Sequence, residues 1–190
     1  MITFLREAVI TLMLVGIIFF GVRTTVQSNV VIGPSMEPDL HDGQRLLVNR
    51  AVYWFSDPER GDVITFHAPD GHQEDYIKRI IGLPGDTIEI KAGAVFVNGS
   101  QLDEPYIADA PGYVVGELEV PPDNYFVLGD NRRNSNDSHS GWTVPRTNII
   151  GKAWLSIWPP ADWGVVLNYP LEEQLSGFMN NVEAPLLANR

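Results

Sequence analysis

A long apolar segment near the N-terminus constrains this chain more than any other feature. The segment Ala8–Val22, AVITLMLVGIIFFGV, runs for fifteen residues without a charge. A membrane-spanning helix needs roughly 17–25 apolar residues, and the flanking residues Ile2–Leu5 and Thr24–Val26 extend the segment to that length. Uniformly apolar sequences without an amphipathic period are unusual for a helix that packs in a soluble core. We therefore predict one N-terminal membrane anchor over residues 1–26.

A cleavable signal peptide is the main alternative to an anchor, because its apolar region has about the same length. The sequence that follows, RTTVQSNVV, matches poorly the small-x-small pattern at which signal peptides are cut. We therefore expect the segment to be retained. Arg6 and Arg23 nearly balance across it, so the flanking charges indicate its orientation only weakly.

Beyond Gln27 the sequence has the pattern of a mainly β protein. Short apolar runs alternate with Gly, Pro, Asn and Asp, as in strands joined by turns. The predicted strands lie within Gln44–Val52, Asp62–His67, Asp75–Ile81, Asp86–Ile90, Ala94–Leu102, Asn124–Asp130 and Ile149–Trp158. Asn98-Gly99, inside the fifth run, is a hairpin signal. We therefore predict a β-rich domain over residues 27–163.

Two stretches differ from this strand pattern. Residues 108–120 contain Gly and Pro and predict a flexible insertion or flap. Residues 164–190 form a C-terminal tail, in which a short amphipathic helix is predicted by four spaced apolar residues, Leu171, Leu175, Phe178 and Val182.

The composition excludes several classes of function. The chain has no cysteine, so disulfides, a catalytic thiol and a thiolate metal site are ruled out. Its net charge of −11 argues against a nucleic-acid partner, which needs clustered Lys and Arg. The same charge predicts repulsion from anionic lipid, so we expect any membrane contact of the domain to be apolar. Candidate contacts are Tyr53-Trp54-Phe55, Trp158 and Trp163, whereas Trp154, on a predicted strand, is expected in the core.

One predicted strand carries two adjacent cations. In EDYIKRIIGLPGD the alternation of a strand places Lys78 and Arg79 on opposite faces, each among apolar neighbours. At least one of them is therefore expected to be buried, although a surface lysine with a packed aliphatic stem is the simpler interpretation of Lys78. If Lys78 is buried, its pKa falls from about 10.4 towards neutrality and the amine becomes a possible general base. The guanidinium of Arg79 cannot take that role.

Two other segments carry polar groups that are open to a catalytic or a structural interpretation. Ser35, in VIGPSMEPDL, follows a Gly-Pro corner where a turn serine is the simpler interpretation. The loop Gly129–Trp142 is consistent with Asx turns or with groups that orient a catalytic site, and it lacks the glycine and glutamate of an EF-hand calcium loop. A Ser-His-Asp triad is a further alternative, but no motif places a histidine beside Ser35; the candidates are His41, His67, His72 and His139.

Taken together, four segments resemble motifs of the bacterial type I signal peptidases, the membrane-bound serine proteases that remove signal peptides from exported proteins. In order along the chain they are GPSMEPDL, RGDVITF, YIKRIIGLPGD and GDNRRNSNDS, behind the apolar N-terminus. The resemblance runs from the anchor to about Pro159. It implies a coiled, barrel-like β-sheet domain, a Ser/Lys mechanism without metal or organic cofactor, and cleavage after small residues at −3 and −1.

The resemblance also implies roles for particular residues. Ser35 would be the nucleophile and Lys78 the general base, and Ser135 would hydrogen-bond and orient the lysine. Asp130, Arg132 and Asp137 would hold the last loop. Shallow substrate pockets would be lined by Val31, Ile32, Met36, Leu40, Tyr76 and Ile77.

Two positions depart from the family pattern. Gly33 stands where many members carry a serine whose hydroxyl helps to bind the oxyanion, so the oxyanion would be bound by the backbone N–H of Ser35 and other donors. We expect Gly33→Ser to be tolerated if the glycine has a φ that serine can adopt. His139 stands where members often carry an arginine that pairs with Asp137, and Arg132 or Arg133 are the candidate substitutes.

The resemblance further implies where the protein acts and on what. Its partners would be the signal peptides of exported preproteins and the lipid bilayer, in a plasma or thylakoid membrane, with a cytoplasmic N-terminus and the catalytic domain on the outer face. A self-cleaving Ser/Lys regulator is one alternative, but it would normally carry a DNA-binding module. A membrane-tethered, non-catalytic β-domain that binds exported partners is the other, and the presence of both Ser35 and Lys78 argues against it.

Overall fold

The structure is a computed structural model that describes residues 2–69, 71, 74–169 and 171. In this part of the chain, one α-helix leads into twelve β-strands. The helix α1 is Ile2–Thr25. The strands β1 to β12 are, in order, Val26–Val30, Arg45–Asn49, Val63–His67, Asp75–Gly82, Thr87–Lys91, Ala94–Val97, Ser100–Gln101, Val115–Glu119, Asn124–Leu128, Val144–Pro145, Ile149–Trp158 and Gly164–Val165.

Helix α1 has the length and composition of a membrane-spanning helix. Its segment Phe4–Thr25 has a mean hydropathy of 2.1, and the protein buries none of it. The hydroxyl of Thr25 donates a hydrogen bond to the Gly21 carbonyl in the last turn. The chain then enters β1 directly, and the Arg50 N–H donates to the Thr25 carbonyl at 2.8 Å. The end of the helix is therefore attached to the loop that follows β2.

The strands form two antiparallel sheets. The larger has the order β1-β2-β11-β3-β4-β9-β10, with β12 paired to β11, and the smaller has the order β7-β6-β5-β8. The ten-residue strand β11 changes register against β2 between Ala153 and Leu155, a bulge that bends the sheet. Asn98-Gly99 joins β6 to β7 as the sequence predicts, with both residues at positive φ. The mainly β class behind an apolar helix is confirmed.

Strand β4 lies at the centre of the packing. Its residues Ile77, Ile80 and Ile81 each belong to a different cluster of buried apolar side chains. Both faces of the strand are therefore covered, and its two cations are both buried, with 4% of Lys78 and 1% of Arg79 exposed. The sequence required burial of only one of them.

Two segments outside the predicted strands contain short strands and buried residues. The predicted flap at 108–120 includes β8, which pairs with β5 and leads into the fully buried Val120. The predicted tail begins with β12, and Val166 and Leu171 pack in the core. The C-terminal helix that the sequence predicts lies outside the described residues, apart from its first position.

The tryptophans are divided between surface and core differently from what the sequence predicts. Trp54, Trp158 and Trp163 are exposed, in agreement with a surface role. Trp154 is 47% exposed, so its predicted place in the core is wrong. Trp154 lies at the bulge of β11, where the alternation of inward and outward side chains is interrupted.

Candidate active site

Ser35 lies on a turn that is held from two sides. Gly33 has φ +77°, a left-handed conformation that favours glycine, and its N–H donates to Asp42 Oδ1 at 2.7 Å. The N–H of Asn131 donates to the Ser35 carbonyl at 3.1 Å, and the Asn131 side chain donates to the Pro34 carbonyl. The turn that carries Ser35, the candidate nucleophile, is thus fixed against the loop after β9. Because Gly33 has positive φ, the condition for a tolerated Gly33→Ser is not met.

Lys78 meets this turn from β4. Its Nζ lies 2.7 Å from Ser35 Oγ and donates a second hydrogen bond to the Ile77 carbonyl at 2.8 Å. Burial lowers the pKa of Lys78 to about 8, while the negative charges of Asp137 and Asp130 act in the opposite direction. An appreciable fraction of the amine is therefore neutral near physiological pH. In that state the Ser35 hydroxyl donates to the nitrogen, which is the arrangement of a nucleophile and a general base.

Arg79 forms a buried ion pair that the sequence reasoning did not identify. Its guanidinium donates to both carboxylate oxygens of Asp130, at 2.9 and 2.7 Å, and to the Gly61 carbonyl at 2.9 Å. The Tyr106 ring lies 4.2 Å from the guanidinium carbon. Asp130 therefore fixes β4 to the start of the last loop, because β9 ends two residues before it. The apolar neighbours of Arg79 were the only signal for its burial in the sequence.

Asp137 orders the loop around the site. Its carboxylate accepts from the Gly129 N–H at 2.9 Å and lies 2.7 Å from His139 Nδ1. The hydrogen bond to Asp137 raises the pKa of His139 above its ordinary value. The Tyr113 ring stacks on the imidazole with 4.1 Å between ring centroids.

The expected arginine substitutes pair elsewhere. Arg132 donates to both carboxylate oxygens of Glu104, at 2.7 and 2.6 Å, and to the Gly129 carbonyl. Arg133 lies 3.7 Å from Asp109. The expectation that one of them replaces the family arginine is therefore wrong. Asp137 pairs instead with His139, two residues further along in the short 3-10 turn that Asp137 caps.

Ser135 lies close to the site but is not bonded to the lysine. Its Oγ is buried and has no hydrogen-bond partner among the described residues, whereas Lys78 Nζ contacts Ser35 and Ile77. Gly129 passes so close to Ser135 Oγ and the Ser35 carbonyl that a Cβ there would clash with both. The Ser135–Lys78 hydrogen bond expected from the resemblance is thus absent from this geometry.

A cavity of about 310 Å³ opens beside Ser35 and Lys78. Its walls come from the end of β1 and the start of β4, and they include four expected substrate contacts, Val31, Ile32, Tyr76 and Ile77. Glu74, Asp75 and Asn136 also line it, and the sequence reasoning missed them. Among the described residues, no histidine lines this cavity.

Met36 and Leu40, the other two expected substrate contacts, do not line the cavity. Both are buried in a core cluster with Leu46 and Val63. The Leu40 N–H donates to the Met36 carbonyl in a single helical turn, which directs both side chains inward. Their sequence proximity to Ser35 therefore reflects packing beneath the turn and not a place in the groove.

Comparisons with known proteins identify the family of this chain. A profile of the family described as signal peptidase, peptidase S26, matches residues 5–158. The probable signal peptidase I-2 of Synechocystis sp. is 43% identical over 155 residues, which cover 78% of this chain and 71% of that protein. The signal peptidase I of Leptolyngbya laminosa is 42% identical over 163 residues, which cover 82% of this chain and 80% of that protein.

A crystal structure of a signal peptidase I from Enterococcus faecalis is 33% identical and covers 51% of this chain and 97% of its own, with a TM-score of 0.47. The family match and the curated relatives define the class of this protein as a serine peptidase, a hydrolase. The chain belongs to the signal peptidase family, peptidase S26.

Proposed function

We propose that this protein removes N-terminal signal peptides from exported preproteins, with Ser35 as nucleophile and Lys78 as general base. The observation that carries the proposal is the 2.7 Å contact between Ser35 Oγ and a buried Lys78 amine whose pKa lies near 8. Both groups face an open cavity that a peptide can enter. A non-catalytic binding domain would have no need for a buried amine at this position, since burial of a lysine is unfavourable.

The reaction proceeds through an acyl-enzyme. Neutral Lys78 accepts the Ser35 hydroxyl proton as Oγ bonds to the scissile carbonyl carbon, and the resulting ammonium gives that proton to the leaving amine when the C–N bond breaks. A water molecule then attacks the ester, with its proton passing to Lys78 and from there to Ser35 Oγ. The products are the two peptides, and the lysine returns to its neutral form.

The oxyanion is bound by backbone donors near Ser35. The Ser35 N–H makes no hydrogen bond among the described residues, so it is available to a developing negative charge. The Gly33 N–H, in contrast, is engaged by Asp42. One hydrogen-bond donor to the oxyanion contributes a factor of roughly 10²–10³ to kcat.

The substrate binds as an additional strand. β1 is an edge strand of the larger sheet, and the first residues of β4 pair with β3 on one side only, because pairing of β4 with β9 begins at Arg79. An extended peptide between these two edges passes Ser35 and hydrogen-bonds to backbone on either side. Val31, Ile32 and Ile77 leave shallow space beside it, which favours small residues at −1 and −3.

The anchor places this groove at the membrane surface. Nine residues separate the end of α1 at Thr25 from Ser35, and β1 occupies five of them. We place the N-terminus in the cytoplasm and the domain on the outer face of a plasma or thylakoid membrane, where signal peptides emerge.

Ser135 and Arg132 serve to shape the loop that supports Ser35, together with Asp130 and Asp137.

Cleavage of a purified preprotein in detergent tests the proposal. The full chain should release a mature protein whose N-terminus, read by mass spectrometry, follows small residues at −3 and −1. Ser35→Ala should abolish release, whereas Ser56→Ala, an exposed serine whose hydroxyl only caps a local turn, should not change it. Cleavage by folded Ser35→Ala, or no cleavage by the folded unmodified chain, would overturn the assignment. The second result would favour a non-catalytic binding domain.

A further inference from the structure

A second cavity, of about 260 Å³, lies away from Ser35 at the end of α1. Among its lining residues the ionisable groups are two arginines, a histidine and a tyrosine, and none is a carboxylate; the lining consists of Gln27, Arg50, Tyr53, Trp54, His67, Arg146, Thr147, Ile149 and Ile150. Such a wall is unexpected in a chain with a net charge of −11. It favours an anionic ligand.

The two arginines are only weakly neutralised by the protein. Arg146 is held in place because its Nη2 donates to the Tyr53 carbonyl at 2.7 Å, while its nearest carboxylate, Asp57, is 3.9 Å away and 92% exposed. Within the described part of the chain, the Arg50 side chain forms neither an ion pair nor a hydrogen bond, and it is exposed. His67 is paired with Asp75 at 2.8 Å, so the arginines supply the uncompensated positive charge. Guanidinium groups bind phosphate oxygens through paired hydrogen bonds.

The position of the cavity indicates where its ligand comes from. The Arg50 N–H bonds to the last residue of α1, Thr25, and Gln27 belongs to the strand that follows directly. If α1 spans the apolar layer, its end lies at the depth of the lipid headgroups. Trp54, in the cavity wall, is 58% exposed, and the adjoining Phe55 is 90% exposed. Exposed aromatic residues are typical of this interfacial depth.

We propose that this cavity binds the phosphate group of an anionic phospholipid headgroup, with Arg50 and Arg146 as donors and Trp54 beside the lipid. Inorganic phosphate has the same chemistry, but the location at the end of the anchor favours the lipid. The proposal replaces the expectation that every membrane contact of this acidic domain is apolar. A local cationic cavity can still bind an anion, because salt screens the repulsion from acidic residues that lie more than a Debye length away. The bound lipid fixes the domain against the membrane independently of the Ser35 mechanism.

Lipid binding to the full chain in detergent tests the proposal, with no substrate present. Native mass spectrometry counts bound phosphatidylglycerol and phosphatidylcholine at increasing lipid concentration. We expect tighter binding of phosphatidylglycerol, and Arg50→Gln should weaken it about tenfold, the loss expected for one charge-assisted hydrogen bond. Arg45→Gln removes an exposed arginine at the other end of β2 and should leave binding unchanged.

Arg146→Gln should weaken binding to a similar degree, but it also removes the hydrogen bond to the Tyr53 carbonyl. Arg50→Gln avoids this difficulty because the Arg50 side chain makes no hydrogen bond or ion pair with any described residue. Equal binding of the two lipids, or unchanged phosphatidylglycerol binding by Arg50→Gln, would refute the site. Displacement of phosphatidylglycerol by inorganic phosphate at similar affinity would refute the lipid and identify a free-anion site. Because the readout is binding, each result is independent of whether Ser35 catalyses cleavage.

Discussion

Replacing Lys78 with methionine separates the chemistry of the lysine from its place in the fold. Burial lowers its pKa from 10.5 to about 8. At about 1.4 kcal/mol per pKa unit, the charged amine therefore destabilises the folded state by about 3 kcal/mol. Methionine fills similar volume without a charge, but it loses two hydrogen bonds, to Ser35 Oγ and the Ile77 carbonyl, each worth about 1 kcal/mol. Below pH 8, Lys78→Met should thus be at least as stable as the unmodified protein.

The pH dependence of this comparison has a definite sign. Below pH 8 the lysine is charged in both the folded and the unfolded state, so the unmodified protein carries the full destabilisation. Between pH 8 and 10.5 the folded lysine has lost its proton while the unfolded lysine retains it. The unfolded state then binds more protons, and the stability of the unmodified protein rises with pH by about 3 kcal/mol across this window. Lys78→Met lacks that rise, so its relative advantage should disappear.

Urea unfolding at pH 7 and at pH 10.5 measures the effect, with preprotein cleavage assayed in parallel. Lys91→Met is the matched control, because this lysine is 53% exposed on the distant hairpin and should show no comparable pH-dependent difference. In the unmodified protein kcat/KM should rise with pH up to about 8. Lys78→Met should lower the rate of preprotein cleavage by a factor of at least about 10³. A stability difference that is equal at both pH values, or substantial cleavage by Lys78→Met, would refute the reasoning.

Two further substitutions test the residues that hold Ser35 and Lys78 in place. Gly33→Ser places a side chain at φ +77°, so it should destabilise the fold by about 1–2 kcal/mol and reduce cleavage; unchanged melting and kcat would contradict this. Asp130→Asn leaves the buried Arg79 guanidinium without its counter-charge and should lower the free energy of unfolding by about 3–5 kcal/mol. Asp109→Asn, at an exposed position, should change it by less than about 0.5 kcal/mol, and equal effects of the two would count against the buried pair.

The sequence predicted the β class and the anchor because both follow from local patterns. Apolar periodicity also identified the strand that carries Lys78, but it could not show that Lys78 and Arg79 are both buried. Burial of both depends on the apolar clusters that pack against β4, whose members come from distant parts of the chain. The contact between Lys78 and Ser35 was available only through the resemblance of separate motifs to a known family.

The errors have the same physical origin. Met36 was expected in the groove because it adjoins Ser35, yet a helical turn directs it into the core. The partner of Asp137 was sought among the arginines of its loop, but Arg132 pairs with Glu104, which approaches from another segment. Pairing between residues 28 positions apart depends on the closed fold, and no local pattern encodes it.

The charges around Lys78 explain how its pKa can be low enough for the proposed role as general base. Asp137 and Asp130 both raise the pKa of Lys78, and two unpaired carboxylates nearby would keep the amine protonated. Asp130 is neutralised by Arg79, and Asp137 by its hydrogen bonds to His139 and the Gly129 N–H. With each carboxylate already paired, desolvation exceeds the attraction and the pKa falls. Because His139 and Arg79 pair with these two carboxylates, burial remains the largest influence on the pKa of Lys78.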